Sequence, residues 1–94
     1  EYNYPTDLKK YAQVAQALGC ENQDNDEKMA LAGIAKIKSL IAACGIPAKL
    51  SDLNIPKDKI AEMAKDAMQI QRLLKNNPRE ITLEDAVSIY TAAY

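Results

Sequence analysis

Only three glycines occur in these 94 residues, and two of them, Gly19 and Gly45, close runs in which apolar side chains recur at helical spacing. Glycine accepts the left-handed conformation that ends many helices, so this punctuation divides the first half of the chain into two helices. The first is predicted over residues 6–18. Thr6 is placed to cap it, Asp7 lies against the positive end of its dipole, and Leu8, Tyr11, Ala12, Ala15 and Leu18 share one face. The polar run Glu21-Asn22-Gln23-Asp24-Asn25 reads as a loop. Asn25 or Asp26 then caps a longer helix whose Ala30, Ile34, Ile37, Ile41 and Cys44 form a face, stopped by Gly45 and Pro47.

From Ala48 to Ile55 the pattern is that of an ordered connector. Leu50, Leu53 and Ile55 are expected to anchor it, while Ser51 and Asp52 satisfy backbone groups. A third helix is predicted from about Pro56, whose missing N–H costs nothing in a first turn, to about Gln69, with Ile60, Met63, Ala64 and Ala67 buried. Residues 70–75 form a frayed or separate turn, because Asn76-Asn77-Pro78 pushes the chain out of helical geometry. Thr82, with Asp85 three residues on, gives a capping-box-like start to the last helix, whose apolar face is Leu83, Ala86, Val87, Tyr90 and Tyr94. The expectation is an all-α fold, a small bundle of about four helices forming one domain over residues 1–94.

Composition agrees with that and excludes several classes of function. Twelve Lys and Arg oppose thirteen Asp and Glu, for a net charge of −1, with 48% hydrophobic residues. A chain so balanced is neither a disordered polyelectrolyte nor a basic nucleic-acid binder. At this length about 60–65% of the unfolded surface can be removed from water, enough for one small core. No apolar run approaches the roughly 18 residues of a membrane span, and no basic-then-apolar leader is present. Cys20 and Cys44, far apart and without a disulfide framework, read as two reduced thiols filling small apolar spaces, which fits a cytoplasmic protein. The chain opens at Glu1 with Tyr2-Asn3-Tyr4-Pro5 rather than with methionine, and is expected to be part of a longer protein.

Residues able to carry chemistry are sparse. There is no histidine, so catalytic metal ligation would fall to scattered carboxylates and two thiols, and no metal site is expected. The Asp24, Asp26 and Glu27 cluster lacks the glycine and the twelfth-position glutamate of a calcium loop, and reads as a solvated helix start. Neither a Gly-x-Gly-x-x-Gly nor a Gly-Lys-Ser/Thr loop is present to cradle phosphates. Neither thiol has a neighbouring base that would make it a nucleophile. Met29, Met63 and Met68 are read as core filler, and the lysines, interleaved with acids, as a solvated face.

Three ordered stretches nevertheless carry a likeness. They are Lys10-Tyr11-Ala12-Gln13-Val14-Ala15-Gln16-Ala17-Leu18-Gly19; Cys44-Gly45-Ile46-Pro47-Ala48-Lys49-Leu50; and Asn77-Pro78-Arg79, followed by Thr82-Leu83-Glu84-Asp85 and Tyr90 to Tyr94. Together they resemble the closing part of the iron-dependent (group III) alcohol dehydrogenases over nearly the whole chain. The resemblance implies an intact enzyme with an N-terminal α/β domain that binds NAD or NADP and a helical C-terminal domain that carries Fe2+. There the metal polarises the alcohol or carbonyl oxygen while hydride passes to or from nicotinamide.

The family's metal ligands, one Asp and three His, precede the stretch that matches this chain. The resemblance therefore assigns no catalytic, metal or cofactor residue here. It implies that residues just ahead of Asn77-Pro78-Arg79, namely Arg72, Leu73 and Leu74, together with Asn77, come close to the substrate cleft. At that place Gln71-Arg72-Leu73-Leu74-Lys75-Asn76 stands where many members have a stretch rich in Cys, Thr and Gly. The competing assignment makes Leu73 and Leu74 core and has Asn77 and Arg79 tie the loop to the last helix. The implied partners are upstream iron-bearing helices and a nucleotide-binding domain of the same chain, in a homo-oligomer, with the isolated stretch inactive. A different class of function, a free-standing helical protein-interaction module with an apolar groove, is the alternative.

Overall fold

The computed structural model describes residues 1–94, and every regular element in it is helical. The α-helices are α1 (Leu8–Ala17), α2 (Asp26–Ala43), α3 (Ile60–Met68), α4 (Gln71–Leu74) and α5 (Leu83–Ala92). Single 3-10 turns lie at Tyr4–Thr6, Ser51–Leu53 and Lys57–Lys59. The all-α expectation is met, with α4 as the separate turn foreseen after the third helix. The chain forms two compact units, Glu1–Ile46 and Pro47–Tyr94.

The first unit is a helical hairpin of α1 against α2. α1 starts two residues later than the sequence suggests, because Thr6 belongs to the preceding 3-10 turn and Asp7 takes the capping position, accepting from the Lys10 N–H at 3.5 Å. Gly19, at φ +78, ends it. The Gly19 N–H reaches the Gln16 carbonyl at 3.0 Å and the Cys20 N–H reaches that of Ala15 at 3.1 Å. Both bonds satisfy carbonyls that a helix end otherwise leaves without partners. Asn25 caps α2 by accepting from the Lys28 N–H at 2.8 Å, and Gly45, at φ +68, closes that helix in the same manner as Gly19 closes α1.

Small residues set the spacing of this hairpin. Ala12, Ala15, Met29, Ala30 and Gly33 are buried, and Cys20 packs on the cluster of Ala12, Ala15 and Met29. The face expected on α2 is only partly covered. Ala30 is buried and Ile34 and Ile41 are half-buried, whereas Ile37 is 44% exposed and Cys44 is exposed. Length explains the difference: α1 has 10 residues and α2 has 18, and at about 1.5 Å per residue the shorter helix spans roughly 12 Å less than the longer one.

In the second unit α3 packs on α5. Ile60, Ala64 and Ala86 are buried, with Met63, Ala67, Val87 and Tyr90 half-buried. Pro56 is extended (ψ 138) and the Lys57–Lys59 turn leads directly into α3. α5 begins with a complete capping box. The Thr82 hydroxyl accepts from the Asp85 N–H at 3.2 Å, and the Asp85 carboxylate accepts from the Thr82 N–H at 2.9 Å.

The connector is ordered, as anticipated, and its ties run to the end of α5. The Leu50 N–H donates to the Ala93 carbonyl and the Ser51 hydroxyl to the Tyr94 carbonyl, both at 2.8 Å, while the Lys57 ammonium lies over the Tyr94 ring, 5.6 Å from its centroid. Asp52 accepts from the Lys49 N–H at 3.3 Å. Leu50 and Ile55 are half-buried anchors. Leu53 is not an anchor: it is 55% exposed, because the Ser51–Leu53 turn directs it outward before Asn54 reverses the chain at φ +57.

Candidate functional site

Residues 70–81 join the two packed helices of the second unit, and all four cleft candidates lie there. α4 is one turn long. Ile70 stands before it with its carbonyl accepting from the Leu73 and Leu74 N–H groups at 3.1 and 3.2 Å. Two side chains of the segment hold its backbone: Gln71 Nε2 donates to the Met68 carbonyl at 2.6 Å, and Asn76 Nδ2 to that of Arg72 at 3.0 Å. Asn77, half-buried, donates through Nδ2 to the Arg79 carbonyl at 2.7 Å, spanning Pro78. That bond lies within the loop and does not itself reach α5, the tie that the competing assignment expected of Asn77 and Arg79.

The four candidates differ in environment. Arg72 is exposed, Leu73 is 57% exposed, and Leu74 and Asn77 are half-buried. Leu73 is therefore not core, since a helix of one turn has no second turn to fold over it. Chemically the segment offers a guanidinium, an aliphatic surface and a fixed amide. That set can border a bound molecule and supply a hydrogen bond; it contains no group suited to abstracting a proton.

No three His, Cys, Asp or Glu side chains converge anywhere in the chain. Asp24 is occupied with the Lys28 ammonium at 2.7 Å, and Cys44 ends α2 at the surface. Iron bound by nitrogen and oxygen donors does not fit any residue set present here. A dinucleotide site of the strand-and-glycine-loop kind does not fit either, because the chain has neither part.

Two surface carboxylates, Glu62 and Glu1, are held below their ordinary value. The Lys59 ammonium, hydrogen-bonded to Glu62 at 2.8 Å, holds the Glu62 carboxyl below its ordinary value, and Glu62 in return raises Lys59. Lys38 lowers Glu1 in the same way, chiefly through their hydrogen bond. Both pairs are exposed and read as surface ion pairs.

The interaction-module alternative expects an apolar groove between helices, without saying which ones. Tyr11 and Val14 of α1 and Ala30, Ile34 and Ile37 of α2 line an apolar groove of about 320 Å³, with Glu1 and Lys38 also at its edge. Tyr11, Ile34 and Ile37 were assigned to buried helix faces by their spacing. Val14, three residues after Tyr11 and four before Leu18, borders that face without having been assigned to it, and a groove left by two helices of unequal length has no signature in the sequence of either. A second, polar recess of about 350 Å³ lies between α1 and the 22–26 loop, bordered by Lys9, Gln13, Asn22 and Asp24.

The whole sequence, residues 1–94, matches the model of the Fe-containing alcohol dehydrogenase family, C-terminal. This chain belongs to that family. It is 31% identical over 94 residues to the lactaldehyde reductase of Escherichia coli K12, covering 99% of this chain and 24% of the reductase. It is 30% identical over 87 residues to long-chain-alcohol dehydrogenase 1 of Geobacillus thermodenitrificans, covering 92% of this chain and 22% of that enzyme. With the NADH-dependent butanol dehydrogenase A of Clostridium acetobutylicum it shares 34% identity over 74 residues, 79% of this chain and 19% of the other.

Among solved structures, 1,3-propanediol oxidoreductase superposes with a TM-score of 0.90 at 28% identity, over 99% of this chain and 24% of the oxidoreductase. The chain thus spans about a quarter of the length of the family members it matches. The helical architecture is that of the C-terminal part of the family fold.

Proposed function

We propose that this chain acts as the C-terminal helical portion of an iron-containing, NAD(P)-dependent alcohol dehydrogenase that interconverts alcohols and aldehydes. The observation that carries the reading is the match of the family's C-terminal model to all 94 residues, together with superposition of 99% of the chain on a solved oxidoreductase. The role is structural. These helices buttress the part of the enzyme that holds the metal, and residues outside these 94 supply the ligands and the nucleotide site. Arg72, Leu73, Leu74 and Asn77 line the substrate cleft, with Leu73 offering the apolar contact and Asn77 fixing the loop beside Pro78. The working enzyme is a cytoplasmic homo-oligomer, and the 94 residues alone are inactive.

The test uses the longer protein. Alcohol-dependent reduction of NAD or NADP that is lost on chelation and restored by iron supports the reading. A Leu73→Ala variant that raises KM for a longer alcohol while leaving KM for the nucleotide unchanged supports the cleft assignment. Unchanged kinetics with every alcohol would remove Leu73 from it.

The second reading, a free-standing interaction module, draws on the apolar groove of the first unit. The coding region around Glu1 separates the two. A reading frame that continues upstream into histidine-containing metal motifs favours the dehydrogenase, and one that starts at Glu1 favours the module.

A further inference from the structure

We infer that the apolar groove between α1 and α2 is the seat of a segment that precedes Glu1 in the same polypeptide. This rests on the reading of the chain as the C-terminal part of a longer oxidoreductase. Tyr11, Val14, Ile34 and Ile37 line the groove, and Val14 and Ile37 remain 51% and 44% exposed. An engineered apolar cavity of about 150 Å³ accommodates one benzene ring. The 320 Å³ here therefore admits more than one large side chain of an apposed element. Exposed apolar side chains gathered into one groove, instead of scattered singly, are the pattern expected of a surface that receives another element.

Two observations select the occupant. The family match is to the C-terminal part, and the chain covers 24% of the solved oxidoreductase, so about three quarters of such a relative lies outside the matching region, ahead of it. Glu1 itself borders the groove through its ion pair with Lys38, so any residues that precede it leave the chain at the groove's edge. A segment tethered there faces the groove at an effective concentration in the millimolar range, which favours it over a free partner. Its chemistry follows from the lining: an amphipathic helix with aliphatic or aromatic side chains at i and i+3 or i+4 toward Val14 and Ile37, and polar groups beside Glu1 and Lys38.

The experiment places p-benzoylphenylalanine at Ile37 in the full-length protein and, in a second variant, at Val14, followed by irradiation and peptide mapping. Alkylation of a Val14→Cys variant by a maleimide is followed in parallel, with the urea-unfolded protein as reference. The expected result is a cross-link to a peptide upstream of Glu1 within one chain. Alkylation should be slowed at least about tenfold, the retardation that an opening free energy of about 1.4 kcal/mol imposes.

Dimer-sized adducts would put a second copy in the groove and overturn the inference. So would alkylation at the unfolded rate without any cross-link. If that open groove occurs in an enzyme that still reduces NAD(P) with alcohols, the inference fails alone. If the native protein has no upstream residues and no such activity, the dehydrogenase reading fails with it.

Discussion

A Cβ built on Gly33 of α2 would lie 2.7 Å from the Cβ of Ala15 and 3.1 Å from its Cα on α1. The two helices of the first unit cross with no room for a methyl group between them. Gly33→Ala sets two effects against each other. Alanine is better than glycine in a helix interior by about 1 kcal/mol, but overpacking a close contact costs about 1–3 kcal/mol. Ala15 has no flexible side chain that could move aside, so the clash is expected to win. Urea unfolding should show a lower midpoint for Gly33→Ala at unchanged m; a higher midpoint would mean that the helices can separate without cost.

Thr82→Ala removes one half of the capping box at the start of α5, with an expected loss of about 1 kcal/mol. Thr82→Ser keeps the hydroxyl and should retain most of the stability. Equal losses in the two variants would assign the effect to the threonine methyl group instead of the cap.

The pair of Lys59 and Glu62 gives a signed pH dependence. Glu62 titrates below its ordinary value of 4.5 in the folded chain. Its contribution is therefore complete above 4.5 and disappears as pH falls through the lowered folded value. Lys59 is held above 10.5, so its contribution is complete below that and disappears as pH rises through the raised value. Between those limits Glu62→Gln should lower Tm slightly, and the gap to the parent should close in acid and in high salt, as expected for an exposed pair. A gap indifferent to salt would point to packing of the Glu62 stem.

Five large aliphatic residues of the first unit, Val14, Leu31, Ile37, Leu40 and Ile46, and five of the second, Leu53, Ile70, Leu73, Leu83 and Ile89, are more than a third exposed. The 94-residue chain by itself is therefore expected to self-associate. Sedimentation velocity across a hundredfold dilution series should show a concentration-dependent rise in average mass. A monomer at every concentration would contradict the expectation.

Helix ends were the most legible part of the sequence, because each end has its own chemistry. Gly19 and Gly45 adopt the left-handed conformation that only glycine adopts easily, Asn25 caps α2, and the Thr82 and Asp85 spacing forms its box. The start of α1 was less so. Thr6 and Asp7 are both competent caps, and the choice fell to the Tyr4–Thr6 turn, which uses Thr6 before the helix begins.

Faces were harder than ends. In α2 nearly every side offers Ala, Ile or Leu, so spacing alone does not say which stripe is covered or how far along the covering helix reaches. That is why Ile37 and Cys44 lie outside the core while Gly33 lies inside it. For the cleft candidates the sequence marked the segment through its Asn77-Pro78-Arg79 landmark, but the exposure of Leu73 follows from α4 stopping after one turn.

The hydrogen bonds from Leu50 and Ser51 to the carbonyls of Ala93 and Tyr94 join positions 43 residues apart in sequence, and so turn the second unit into a closed circuit. Where two distant points of a chain already touch, a short linker can join them with little strain, and the break can be moved to a surface loop. A permuted version of this unit, joined across that contact and opened in the exposed stretch at Lys75 and Asn76, should keep the pairing of α3 with α5. The order in which the helices are synthesised would then be separable from the order in which they pack.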